Sequence, residues 1–192
     1  MHSIASDWLR HSLLAVAATV MLAGCAEDSP TGPVAELATA GTSTEQPAVD
    51  LGECDKLRPP AGSSLLFHAY ARGVQVYRWD GTSWSLLGPS AQLFADAKNK
   101  ALVGTHYTGP TWKSTSGSTV VGAVIDRCTP NPDAIQWLLL GAAKNEGPGV
   151  FQGVTHIQRV NTVGGKAPAE AGTFGQVREI PYTAEYFFYQ AP

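Results

Sequence analysis

The sequence predicts an all-β domain over residues 51–192, a single antiparallel β-sandwich or barrel of about seven to nine strands with at most one short helix. Three observations carry this. Short runs rich in Val, Ile and aromatic residues alternate with turn pairs. Glycine and proline, 20 and 13 of 192 residues, recur along the chain. No long stretch repeats apolar residues at the i, i+3, i+4 spacing of an amphipathic helix.

Taken in order, Val74-Gln75-Val76-Tyr77-Arg78-Trp79 is β-branched and aromatic, Asp80-Gly81 is a strong turn pair, and Trp84-Ser85-Leu86-Leu87 follows, together a hairpin signature. Gln92 to Lys100 reads as the one candidate short helix. Trp112-Lys113-Ser114, the turn formers Ser116-Gly117-Ser118, and Thr119 to Ile125 repeat strand, turn, strand. Ile135 to Leu140, bounded by Pro132 and Gly141, suits a buried strand. Asn145-Glu146-Gly147-Pro148-Gly149 is a loop, Phe151 to Thr162 a long strand, and Tyr182 to Tyr189 the last and most aromatic one. A domain of this length buries a core of its own.

Residues 1–24 read as a signal segment. An apolar run, Leu13 to Leu22, follows Arg10 and is too short to span a bilayer, which needs about 20 residues. It ends in Leu22-Ala23-Gly24-Cys25, which resembles the lipobox of bacterial lipoproteins. The resemblance implies cleavage before Cys25 and lipid on its thiol, the thiolate being the nucleophile. The expected partner is therefore a membrane, through that lipid. The expected location is the bacterial cell envelope, on the outer membrane if the cell is Gram-negative, because Ala26 rather than Asp follows the cysteine. Residues 25–50 are a flexible linker. No Phe, Tyr or Trp occurs between Trp8 and Phe67, and Pro30, Pro33 and Pro47 punctuate a stretch of Ala, Thr, Ser and Glu.

The formal charge of −3 belongs to that linker, which holds Glu27, Asp28, Glu36, Glu45 and Asp50. The domain carries 12 basic and 10 acidic residues. No basic stripe marks a nucleic-acid binder. Cys54 and Cys128 remain in the domain, and two cysteines in an exported chain suggest one disulfide. No closely spaced Cys/His set marks a metal site.

Several blocks in order resemble the domain of unknown function 3455 family of exported bacterial and fungal proteins. They are Gly73-Val74-Gln75-Val76-Tyr77, His106-Tyr107-Thr108-Gly109-Pro110-Thr111-Trp112, Ser116-Gly117-Ser118, Ala134-Ile135-Gln136-Trp137-Leu138-Leu139-Leu140, Val154 to Gly165, and Pro181 to Tyr189. The resemblance spans roughly residues 62–190. It implies secretion, a single domain and no established activity. Many members carry a cysteine after the Ala-Pro that follows the Gly-Gly; here Ala167-Pro168 leads into Ala171-Gly172-Thr173. Others have a cysteine where Trp79 stands. Fungal members sometimes bear the label malate dehydrogenase, which the residues here oppose. Dinucleotide binding needs a strand, a GxGxxG turn and a helix, whereas Gly147-Pro148-Gly149 precedes a strand pattern. No cofactor is expected.

The candidate site residues are His106, Tyr107, Trp112, Arg159 and Asn161. His106, flanked by Gly104-Thr105 and Tyr107-Thr108-Gly109-Pro110, is placed where turns would expose its ring for acid–base work. Strand alternation puts Val154, His156, Gln158 and Val160 on one face and Thr155, Ile157, Arg159 and Asn161 on the other. Arg159 and Asn161 would clamp a carboxylate or phosphate, or Arg159 would pair with Glu185. Tyr77, Trp112, Trp137, Tyr182 and Tyr186 form either a ring-stacking surface for a glycan or other small molecule, or ordinary core. The expectation is a lipid-anchored, non-catalytic binding or structural module. One alternative is a small secreted hydrolase or isomerase using His106 with Arg159. Another is an assembly partner in an envelope complex, which would show an exposed apolar patch.

Overall fold

The computed structural model describes residues 49–192. The signal segment, Cys25 and nearly all of the linker lie outside the described residues. A short 3-10 helix, Gly52–Leu57, leads into eight antiparallel strands: β1 Ser64–Trp79, β2 Trp84–Phe94, β3 Leu102–Tyr107, β4 Thr111–Ser114, β5 Thr119–Cys128, β6 Trp137–Glu146, β7 His156–Gly164 and β8 Val177–Gln190. Each strand pairs with the next in sequence, and β8 returns to pair with β1, so the sheet closes into an up-and-down barrel. The two long strands make the closing seam, paired from Ser64 opposite Gln190 to Arg78 opposite Val177 with one register shift between Leu65 and Phe67.

Alternation sets inside from outside. On β8, Tyr182, Ala184, Tyr186 and Phe188 face the interior. Phe187 and Tyr189 face outwards into a second cluster with Leu51, Cys54 and Leu57 of the helical turn, over Leu139 and Val160. Inside, Ala69, Ala71, Ala91 and Ala184 make room for Trp112, Tyr186, Phe188 and Phe151. Small residues opposite large ones fill the lumen of a narrow ring. Gly73 belongs to this scheme by its missing side chain: a Cβ there would stand 2.2 Å from the Ser90 carbonyl oxygen. Strands β1 and β2 cross too closely at that point for any other residue.

The Asp80-Gly81 turn forms as the sequence dictates, with Gly81 at φ +106°. The Asp80 carboxylate accepts from the Thr82 and Ser83 amides at 2.9 and 2.8 Å and from the hydroxyls of Thr82, Ser83 and Ser85. The amides of Ser83 and Thr82 hold that carboxyl well below the usual carboxylate range.

Two local expectations fail, and one element was not foreseen. Gln92 to Lys100 is no helix: Gln92–Phe94 ends β2, and Asp96 then caps a turn by accepting from the amides of Lys98, Lys100 and Ala101. Phe151 to Thr155 is no strand. Asn145 donates through Nδ2 to the carbonyls of Phe151 and Val154, folding this loop over one barrel end and burying Phe151 completely. The helical segment Gly52–Leu57 went unread because it is only six residues long, too short for the three-residue spacing of Leu51, Cys54 and Leu57 to stand out.

The disulfide forms. Cys54 is bonded to Cys128 with their Cα atoms 5.8 Å apart, fastening the helical turn to the end of β5. It closes a loop of 74 residues, which contributes about 4 kcal/mol in the chain-entropy account.

Candidate functional site

Hairpins β1–β2, β3–β4, β5–β6 and β7–β8 meet at the barrel end opposite the Phe151 plug. A cavity of about 360 Å³ enters there, and every one of the eight strands contributes a residue to its lining. Its buried wall is Gln75 of β1, His106 of β3, Trp112 of β4 and Tyr186 of β8, each at most 2% exposed. Its apolar sides come from Leu138 and Leu140, and its outer lip from Leu86, Leu87 and Val124. Arg159 of β7 reaches in from one side, and the exposed Arg127 of β5 stands at the rim. No Asp or Glu lines it.

His106 is not exposed by a turn, as its neighbours suggested. It lies inside β3 and points into the lumen, stacked on Trp112 with ring centroids 4.3 Å apart and planes 9° apart, with Tyr186 edge-on at 5.2 Å. Its Nδ1 meets the Thr111 carbonyl at 2.9 Å. A carbonyl only accepts, so Nδ1 carries the proton and Nε2 is left as a bare acceptor. Burial is the main force that drives the imidazole's pKa down to about 3, aided by the Arg159 charge and opposed by the Thr111 bond.

Arg159 donates from Nε and Nη2 to the Gln136 carbonyl at 3.1 and 2.8 Å. Among the described residues it has no ion pair: Glu185 instead meets His68 at 2.8 Å and accepts from Asn161 at 3.0 Å, on the outer face. The Arg159 charge acts on Tyr77, Tyr182, Tyr186 and His106 alike. Burial raises the Tyr186 phenol, and the Arg159 charge, then the neighbouring Tyr182 hydroxyl and Arg159 guanidinium as hydrogen-bonding groups, oppose it, though none reaches close hydrogen-bond geometry with that hydroxyl among the described residues. Among the described residues the buried indole nitrogen of Trp112 has no partner, and the Tyr182 hydroxyl has only the Tyr186 hydroxyl near it, outside close hydrogen-bond geometry.

The structure therefore brings His106, Trp112 and Arg159 together and separates them from Tyr107 and Asn161. Tyr107 follows His106 on β3 and faces outwards, 40% exposed. Asn161 does not share a face with Arg159, because β7 slips register between Val160 and Val163. Asn161 sits at φ +51° in that bulge, and the alternation restarts beyond it with Thr162 buried. Of the five aromatics grouped from sequence, Tyr77, Trp112, Tyr182 and Tyr186 are barrel core, and Trp137 lies outside beneath the helical turn. Sequence reasoning missed Gln75, Arg127 and Gln136; only Gln75, a polar residue within an apolar β run, carried any signal. Among the described residues no three His, Cys, Asp or Glu side chains gather as a metal site would require.

No curated protein and no solved structure matches the chain. One family model, described as Protein of unknown function (DUF3455), matches residues 60–190, from just before β1 to the end of β8, and so takes in the whole barrel and its cavity. The chain belongs to the DUF3455 family.

Proposed function

We propose that this chain is a binding module that holds a small molecule in the open end of its barrel, carried on the bacterial envelope by lipid at Cys25. The observation that carries the binding reading is the cavity to which all eight strands contribute. An eight-stranded barrel has an interior that side chains either fill or leave open for one small ligand. Here the Phe151 end is filled and the Arg159 end is open. At about 360 Å³ the space falls in the range of small-molecule sites, which are largely apolar with a few placed polar groups.

Catalysis by His106 has less support. Its imidazole stays neutral at any physiological pH, its one polar contact is a backbone carbonyl, and no carboxylate faces it. A general base works best with a pKa near the working pH. The envelope reading rests on the apolar run that ends at Leu22-Ala23-Gly24-Cys25, and a disulfide suits an oxidising compartment.

Two measurements test these readings. The neutral fluorophore N-phenyl-1-naphthylamine should brighten on binding the full-length chain, and Leu140→Trp, which fills the lumen, should abolish the signal in a protein that still melts cooperatively. Undiminished fluorescence in that variant removes the lumen as the site. Labelled palmitate should enter the chain in bacterial cells and fail to enter Cys25→Ser; equal labelling of both refutes the anchor.

A further inference from the structure

Arg159 presents a charge that no carboxylate among the described residues neutralises. Its Nε and one Nη2 hydrogen are spent on the Gln136 carbonyl, which fixes the plane of the guanidinium. The opposite edge is Nη1 with the second Nη2 hydrogen; no carboxylate meets the guanidinium among the described residues, and its other neighbour is the uncharged Tyr186 hydroxyl. That edge is the one that grips two oxygens of a carboxylate side by side.

The nearby acids are engaged elsewhere. Asp126 pairs with Lys56 at 3.0 Å on the outside, and Glu185 is held by His68 and Asn161. Arg127 adds a second positive charge at the rim, and neutral His106 adds none. A part-buried cation with no counter-ion is costly unless an anion joins it. The remaining wall is apolar or aromatic, and the volume matches about a dozen waters, so the anion must be small with an uncharged body. A phosphate dianion would want more donors than one guanidinium edge offers.

We infer that the lumen takes a small aryl or short-chain carboxylate, its acid group on the free edge of Arg159 and its body against Leu138, Leu140, Trp112 and Tyr186. This rests on the lumen being a binding site, as proposed above.

The test is calorimetry on the full-length chain with trans-cinnamate, hexanoate, cinnamamide and inorganic phosphate, beside the neutral naphthylamine. Cinnamate should bind about tenfold or more tightly than its uncharged amide, as expected for a charge-assisted pair of hydrogen bonds. Arg159→Gln should bring that ratio close to one while naphthylamine still binds, and Arg159→Lys should keep part of it. The wild-type ratio needs no variant, so misfolding of a variant leaves the test standing. Equal affinity for acid and amide, or a preference that survives Arg159→Gln, overturns the inference and leaves the lumen reading intact. Phosphate binding more tightly than either acid overturns the carboxylate assignment. If neither the acids, the amide nor naphthylamine binds, both readings fall.

Discussion

The Arg159 guanidinium grips the backbone carbonyl of Gln136 with two nitrogens, at 3.1 and 2.8 Å, and so ties β7 to the loop between β5 and β6. Thr162 reinforces the tie by donating to the Ile135 carbonyl at 2.6 Å. One side chain therefore both frames the cavity mouth and charges it.

Arg159→Met keeps the stem and removes both donors. Amide exchange at Ile135, Gln136 and Trp137 should quicken, while amides along the β1–β8 seam stay as protected as before. The local loss should be about 1–2 kcal/mol, the cost of leaving a carbonyl short of its partners. Unchanged exchange at those three residues would show that Thr162 suffices alone.

His106 makes stability depend on pH. The unfolded chain takes a proton on this imidazole near 6.5, and the folded chain only near 3. Between those values the unfolded state holds more protons, so this contribution is fully present above 6.5 and declines as pH falls towards 3. Between pH 7 and pH 4 the wild type should lose on the order of 3 kcal/mol more than His106→Phe in urea unfolding. Identical losses would mean that the imidazole is already charged in the fold.

Removing the disulfide with Cys54→Ser and Cys128→Ser should cost up to about 4 kcal/mol. The helical turn over Leu139 and Val160 should loosen first, since besides this bond it is held by apolar contacts, the Gln158 hydrogen bond to the Leu57 carbonyl and the exposed Lys56–Asp126 pair. The check is thermal melting of the wild type with and without reductant. The two wild-type curves should separate, and the double variant should follow the reduced one.

Tyr182 hides a hydroxyl with no partner in close hydrogen-bond geometry among the described residues, only the Tyr186 hydroxyl nearby, beside the aromatic body that packs the core. Tyr182→Phe should leave stability unchanged or raise it by up to about 1 kcal/mol, since an unpaired buried hydroxyl contributes only its desolvation cost. Trp112→Ala should instead lose about 3–5 kcal/mol through the void it leaves. A marked loss from Tyr182→Phe would reveal a partner for that oxygen, such as a buried water.

The barrel was legible wherever a strand obeys strict alternation. The aromatic last strand, Tyr182 to Tyr189, and the Asp80-Gly81 turn were readable directly, because each follows from local chemistry. The face of Asn161 was not, because one residue in the left-handed region shifts everything after it to the other side. Phe151 and Val154 read as strand by their apolar character, yet they plug an end instead, guided by hydrogen bonds from Asn145 that no local pattern encodes. The site itself was half visible. Arg159 and His106 stood out by chemistry, but that they share a lumen with Gln75 follows only from closing the ring.

That closure constrains how the molecule is made. His68 on β1 meets Glu185 on β8 across 117 residues, so the first strand waits with one side bare until the eighth has been synthesised. Any chain cut short before β8 keeps two open edges, and it can satisfy them only on another molecule. The final strand is thus the lock that makes the protein soluble in its own company, and a nonsense mutation there should yield aggregates rather than a weakened barrel.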